Sequence, residues 1–147
     1  MIPILNPITF IIRQADIPAI QWIKKNIPES ETILINPFKW GYGIYAGNDG
    51  GYWISPLAGK KTVPPPVLYG LDNNRDNVLD IVNLCDWIIE NKDNPKSLSK
   101  YLLTKNIRYI YIGKRGGVLS PHKLAEDQSI ELIYYQDGVW IFKIKDS

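Results

Sequence analysis

Hydrophobic positions fall into two rhythms along this chain, and the change between them marks its elements. From Asp16, Ile17, Ile20, Ile23 and Ile27 recur at spacings of three, three and four, which places them on one face of a helix. Asp16 is the expected N-cap, Pro18 is tolerated in the first turn, and Asn26-Ile27-Pro28 closes the helix. Thr32 to Asn36, "TILIN", is a continuous β-branched run suited to a strand buried on both faces. A second helical stripe joins Val78, Ile81, Val82, Cys85, Ile88 and Ile89, with "DNNRDN" supplying its cap candidates. Ser97 is the expected cap of a third helix reaching about Lys105, with Leu98, Tyr101 and Leu102 facing inward.

The remaining elements read as strands. "IRYIYIG", Ile107 to Gly113, is one, and either Ile107, Tyr109, Tyr111 and Gly113 or Ile110 and Ile112 face the core. "SIELIYYQDGVWIFKIK" is two strands around Asp137-Gly138, a favoured pair for a tight hairpin turn. Between residues 37 and 74 glycines and prolines are concentrated among aromatics. A short ordered piece is expected at Tyr52 to Leu57 and a strand at Lys61 to Val63, after which Pro64-Pro65-Pro66 leaves the sheet. Helices alternating with strands predict an α/β sandwich: a mixed β-sheet flanked by helices, ending in an antiparallel hairpin. Residues 15–147 form one domain, and residues 1–14, "MIPILNPITFIIRQ", read as an apolar lead-in of the kind found beside a membrane.

Composition narrows the chemistry by exclusion. A net charge of +2 from 17 basic and 15 acidic residues, with the basic ones scattered, gives no footprint for nucleic acid. Cys85 is the one cysteine and lies in an apolar stripe, so neither a disulfide within the chain nor a cysteine-rich metal site can form. No stretch approaches the roughly 20 apolar residues of a membrane-spanning helix. His122 is the one histidine, without companions for a metal and without "GxSxG" for a triad. Neither "GNDGG" nor "KRGG" fits a nucleotide-phosphate fingerprint.

One region gathers several binding features. Trp40, Tyr42, Tyr45, Tyr52, Trp53 and Tyr69 offer flat apolar faces with polar tips, suited to stacking on sugars or to packing beneath a loop. Gly47, Gly50 and Gly51 allow positive φ or close approach around Asp49. Asp49 either accepts hydrogen bonds from a ligand or holds its own turn as an Asx motif. Lys60 and Lys61 are positioned to meet a phosphate.

The stretch "NDGGYWISPLAGKKTVPP" resembles the signature region in the C-terminal domain of oligosaccharyltransferase catalytic subunits, membrane enzymes of the type C glycosyltransferase fold. The pattern there is Trp-Trp-Asp-Tyr-Gly-Tyr-Trp-Ile followed by a basic-Thr pair. It falls here on Gly47 to Ile54, with Lys61-Thr62 downstream. "ADIPAIQWIKKNIPESETILIN" and "LLTKNIRYIYIG" are similar to the opening helix-strand and a later strand of such domains. Both leading tryptophans and the first tyrosine are missing, so acceptor-sequon binding does not carry over.

The resemblance implies an extracytoplasmic domain that is not catalytic alone and recognises acceptor or donor beside a membrane active site. Its partners would be the membrane-embedded part of the parent glycosyltransferase and a lipid-linked sugar or glycan acceptor. No cofactor is expected in this chain, and any divalent metal would belong to the membrane part. Trp40, Asp49, Gly51, Tyr52, Trp53 and Lys61 are the expected ligand-facing residues. The alternative is a free-standing carbohydrate- or protein-binding module; a small hydrolase using His122 is a third reading.

Overall fold

A computed structural model of the chain describes residues 11–146. It has the expected α/β class. The elements are α1 (Asp16–Asn26), β1 (Thr32–Leu34), β2 (Pro37–Gly41), β3 (Ile44–Gly47), α2 (Ile54–Ala58), β4 (Lys61–Val63), α3 (Arg75–Asn91), α4 (Pro95–Thr104), β5 (Ile107–Ile112), α5 (Pro121–Ala125), β6 (Ile130–Gln136) and β7 (Val139–Ile144). 3₁₀ turns occupy Gly50–Trp53 and Val67–Leu71. Of the lead-in, residues 1–10 lie outside the described residues; Ile12 packs on the core beside α1.

Five strands form a mixed sheet in the order β4-β1-β5-β7-β6. β4, β1 and β5 run parallel, while β7 pairs antiparallel with both β5 and β6. Helices cover both faces. Ile20, Ile23, Ile54 and Ala58 from α1 and α2 pack on Ile33, Tyr109, Tyr111 and Ile141. Leu84, Ile88, Leu98 and Leu102 from α3 and α4 pack on Leu34, Ile110, Ile112 and Phe142. The two inward sets offered for β5 are thus both inward, because a central strand between two helical layers has no solvent face.

Three local expectations change. Ile17 is exposed, and the buried face of α1 is instead Asp16, Ala19, Ile20, Ile23 and Ile27. Asp16 is not a cap: Ala15 holds that position without a side-chain bond, and the Asp16 carboxylate turns into the protein. α4 is capped by Asn94, whose Oδ1 accepts from the Ser97 amide at 3.1 Å, with Pro95 in the first turn.

The largest departure is a second, separate sheet. β2 and β3 form an antiparallel hairpin where a glycine-rich loop was expected. Its turn is Tyr42-Gly43, with φ of 53° and 74°. The terminal hairpin uses the same backbone, with Asp137 and Gly138 at 51° and 82°. Such turns need positive φ at both central residues. Asp-Gly advertises that need and Tyr-Gly does not, since a bulky residue with positive φ is an outlier.

Candidate functional site

Connections leave β1 and β5 toward opposite faces of the sheet. The chain after β1 runs through the hairpin to α2, on the α1 side. The chain after β5 runs to Leu119 and Leu124 of the opposite layer. The carboxyl ends of two such neighbouring strands bound a crevice, the usual ligand site of open α/β sheets. Here the chain fills that crevice with its own carboxylates.

Asp49 is fully buried there. Its Oδ2 accepts from Asn36 Nδ2 and from the Gly113 amide, each at 2.7 Å, and its Oδ1 accepts from the Gly51 amide at 2.9 Å. Asn36 follows β1 and Gly113 follows β5, so one side chain ties both strand ends together. Asn36 Oδ1 in turn accepts from the Leu119 amide at 2.9 Å. Beside it, Asp16 accepts from the Tyr111 hydroxyl at 2.6 Å and from the amides of Lys114 at 3.0 Å and Arg13 at 2.6 Å. Among the described residues no fully buried side-chain nitrogen or oxygen lacks a partner.

Burial pushes the Asp49 carboxyl up to about 6. The three donors pull the other way and the neighbouring Asp16 adds to the rise, so loss of water outweighs the hydrogen bonds. The Tyr111 hydroxyl is also raised, first by burial and then by Asp16, which keeps it a donor.

Glycines line this carboxylate knot because it has no room for a Cβ. A Cβ on Gly113 would lie 2.9 Å from Asp16 Oδ1 and 3.0 Å from Asp49 Cγ, and one on Gly50 would overlap the Asp16 carboxyl. Gly47, Gly50 and Gly51 have no positive φ, so close approach and not turn conformation is their reason. The Asx reading of Asp49 is the observed one: Oδ1 meets the amide two residues on. Asp49 and Gly51 therefore face inward and are occupied by the chain itself. "KRGG" likewise begins by giving the Lys114 amide to Asp16 rather than to an outside anion.

The other expected site residues do not converge. The Tyr52 and Trp53 rings meet edge to face with centroids 6.0 Å apart, and Trp53 is partly exposed. Lys61 begins β4, opposite Thr32. His122 stands exposed near the start of α5, its ring edge to face with Trp140. The Cys85 thiol is buried and pushed up to about 12 by that burial, which leaves it unreactive. Among the described residues no group of three or more His, Cys, Asp or Glu side chains is arranged to hold a metal ion.

Trp40 belongs to a different place, an open cleft of about 670 Å³ between the β2–β3 hairpin, the 3₁₀ turn at Val67–Leu71 and the first half of α3. Ile44, Val78 and Val82 lie along it with Arg75. Its lips are apolar and in water: Trp40 is 56% exposed, Leu68 73%, Leu71 79% and Tyr42 completely. The hairpin is pinned in position by Tyr69, whose hydroxyl donates to the Tyr45 carbonyl at 2.8 Å and accepts from the Tyr45 amide at 2.9 Å. A separate recess of about 210 Å³ shares Gly43, Ile44 and Val82 with the cleft and is also lined by Lys39, Tyr45 and Asp86. There the Tyr45 hydroxyl donates to Asp86, and burial followed by Asp86 raises the phenol well above its usual range.

Of the six expected ligand-facing residues only Trp40 lines this cleft. Two signals in the sequence pointed there. "WGYG" brackets an aromatic with glycines, and Leu68, Leu71 and Leu79 are apolar residues outside every helical stripe.

Comparison with known proteins gives no match among family profiles, curated proteins or solved structures.

Proposed function

We propose that this chain is a recognition domain whose working surface is the aromatic-lipped cleft at Trp40 and Tyr42. Its setting is the one the sequence resemblance implies: the extracytoplasmic domain of a type C membrane glycosyltransferase using a lipid-linked sugar. The observation that carries the reading is the exposed apolar rim around a formed cavity. Contiguous apolar surface of that kind marks interaction sites, and here a tyrosine with unfavourable φ holds its tip. The carboxylate knot supports the reading from the other side. It closes the strand-end crevice to an outside ligand.

In this setting the cleft faces the membrane-embedded part of the same enzyme, and the domain contributes recognition while the chemistry lies elsewhere. None of the described helices is long and apolar enough to cross a membrane. The test uses the intact polypeptide as its gene encodes it, with a photoreactive amino acid replacing Tyr42. Crosslinks to membrane-spanning segments of the same polypeptide are expected. A gene that encodes no such segments in frame would remove the glycosyltransferase setting.

A free-standing binding module then becomes the reading, favoured by a cavity whose volume suits a small ligand. Glycan titrations followed by tryptophan fluorescence would decide it. A response that Trp40→Ala abolishes and Trp53→Ala leaves supports the module, and silence toward every glycan removes its carbohydrate form.

A further inference from the structure

We propose that the cleft binds a single-chain anionic amphiphile, with its hydrocarbon chain between the hairpin and α3 and its carboxylate or phosphate on Arg75. The proposal rests on the reading of the cleft as a working surface and names what that surface takes.

The walls select hydrocarbon. Ile44, Val78 and Val82 line the cavity below its aromatic and leucine lips. Among the described residues no serine, threonine, asparagine, glutamine or carboxylate side chain lines it. A sugar would bring hydroxyl groups into walls that offer them few partners, and a polar group buried without a partner costs free energy. A methylene chain brings no such groups, and burying it is favourable. The volume of about 670 Å³ falls within the usual range for small-ligand pockets, roughly 300–1,000 Å³.

The charge selects the head. Of the described residues lining the cleft, only Arg75, in the first turn of α3, is charged. Its Nη1 donates to the Gly70 carbonyl at 3.4 Å, a long bond that stations the guanidinium at the 3₁₀ wall. Among the described residues its side chain makes no ion pair and no further hydrogen bond. Asp72 and Asp76, near it in sequence, do not line the cavity. A guanidinium presents its N–H donors in a planar fork that matches a carboxylate or phosphate two bonds at a time. The neighbouring recess sets Lys39 against Asp86, and Asp86 already accepts from the Tyr45 hydroxyl. The two cavities together therefore hold an excess of positive charge, which opposes a cationic occupant and gives an anionic head one fixed place.

The experiment adds decyl phosphate, decanol or decylamine to this chain, each below its micelle concentration, and follows tryptophan fluorescence and calorimetry. Decyl phosphate is expected to bind about fivefold or more tightly than decanol, with decylamine weakest. Solvent reaches Arg75, so the preference should shrink as salt rises. Arg75→Gln should bring the phosphate level with the alcohol and leave the alcohol unchanged. Octyl phosphate should bind more weakly, by up to about fourfold for each buried methylene removed. Leu71→Ser should weaken all three decyl compounds, while Leu57→Ser, at an exposed apolar position on α2, should weaken none. Decylamine binding as tightly as decyl phosphate, or a preference that survives Arg75→Gln, would overturn the proposal. So would binding to phosphatidylglycerol vesicles without binding of the monomeric amphiphiles, or capture of an amphipathic peptide where no amphiphile binds. Each of these leaves the cleft a working surface with another occupant, as do crosslinks from position 42 with no amphiphile bound. If position 42 crosslinks to nothing and no probe binds, the cleft reading falls and the proposal falls with it.

Discussion

The carboxylate knot and the aromatic cleft both draw residues from the 37–74 region, yet they have opposite energetics. In the knot every polar atom is partnered and nearly every glycine is required by contact. The cleft has large apolar side chains in water and a left-handed tyrosine at its tip. Unpaired buried polar groups cost free energy, so a satisfied network reads as structure. Exposed apolar surface and a strained backbone also cost free energy, and nothing among the described residues compensates them. The difference separates residues that hold the fold from residues available to something outside it.

The sharpest way to break this contrast is to open the knot. Asp16→Ala leaves the Tyr111 hydroxyl and the Lys114 amide without an acceptor. A loss of about 3 kcal/mol or more is expected from urea unfolding. A loss below about 1 kcal/mol would mean that the knot is not structural.

Asp49 tests the same region through pH. Its folded value of about 6 lies above the ordinary 3.8, so the folded state binds the proton more tightly than the unfolded chain. This contribution to stability is therefore fully present below pH 3.8, and it is lost as pH rises through about 6. The full difference is about 3 kcal/mol. Asp49→Asn has no such titration, but its amide group confronts one of the three donors that the carboxylate accepts from. The variant should be less stable than the native chain at pH 4.5. The gap should narrow toward pH 7.5, as paired chemical denaturation curves at the two pH values would show. A gap independent of pH would place the titration elsewhere.

The two hairpins offer an intermediate test. Tyr42→Asn puts a residue tolerant of positive φ where Tyr42 now sits, with a side chain that touches no core. A gain of about 1 kcal/mol in the unfolding free energy is expected. Asp137→Tyr in the terminal hairpin should lose a similar amount. If Tyr42→Asn destabilised the chain, the tip would be part of the fold and not of a binding surface.

The smallest effect belongs to the cleft lips. Leu71→Ser should leave the unfolding midpoint within the spread of surface substitutions, about 0.5 kcal/mol. Leu98→Ala, in the core between α4 and the sheet, should cost about 2–5 kcal/mol. Similar costs for the two would show that Leu71 is packed in solution.

The sequence alone determined the α/β class, the places of α1, β1, β4, α3, β5 and the terminal hairpin, and the Asx turn as one of two readings of Asp49. These follow from local rules: apolar period, β-branched runs, and Asp-Gly at a left-handed turn. Ile17 fell outside the buried face because periodicity names a stripe and only packing chooses its edge. The tertiary structure alone decided that Asp16, Asn36, Asp49 and Tyr111 meet. Tyr111 lies 95 positions from Asp16, and no local pattern records a hydrogen bond across that distance. It also decided what Gly50 and Gly113 are for, since a glycine in sequence does not distinguish an unusual φ from a carboxylate that leaves no space for a Cβ. The cleft stayed hidden for the same reason. Its walls come from a hairpin, a 3₁₀ turn and a helix, each of them unremarkable until the fold sets them side by side.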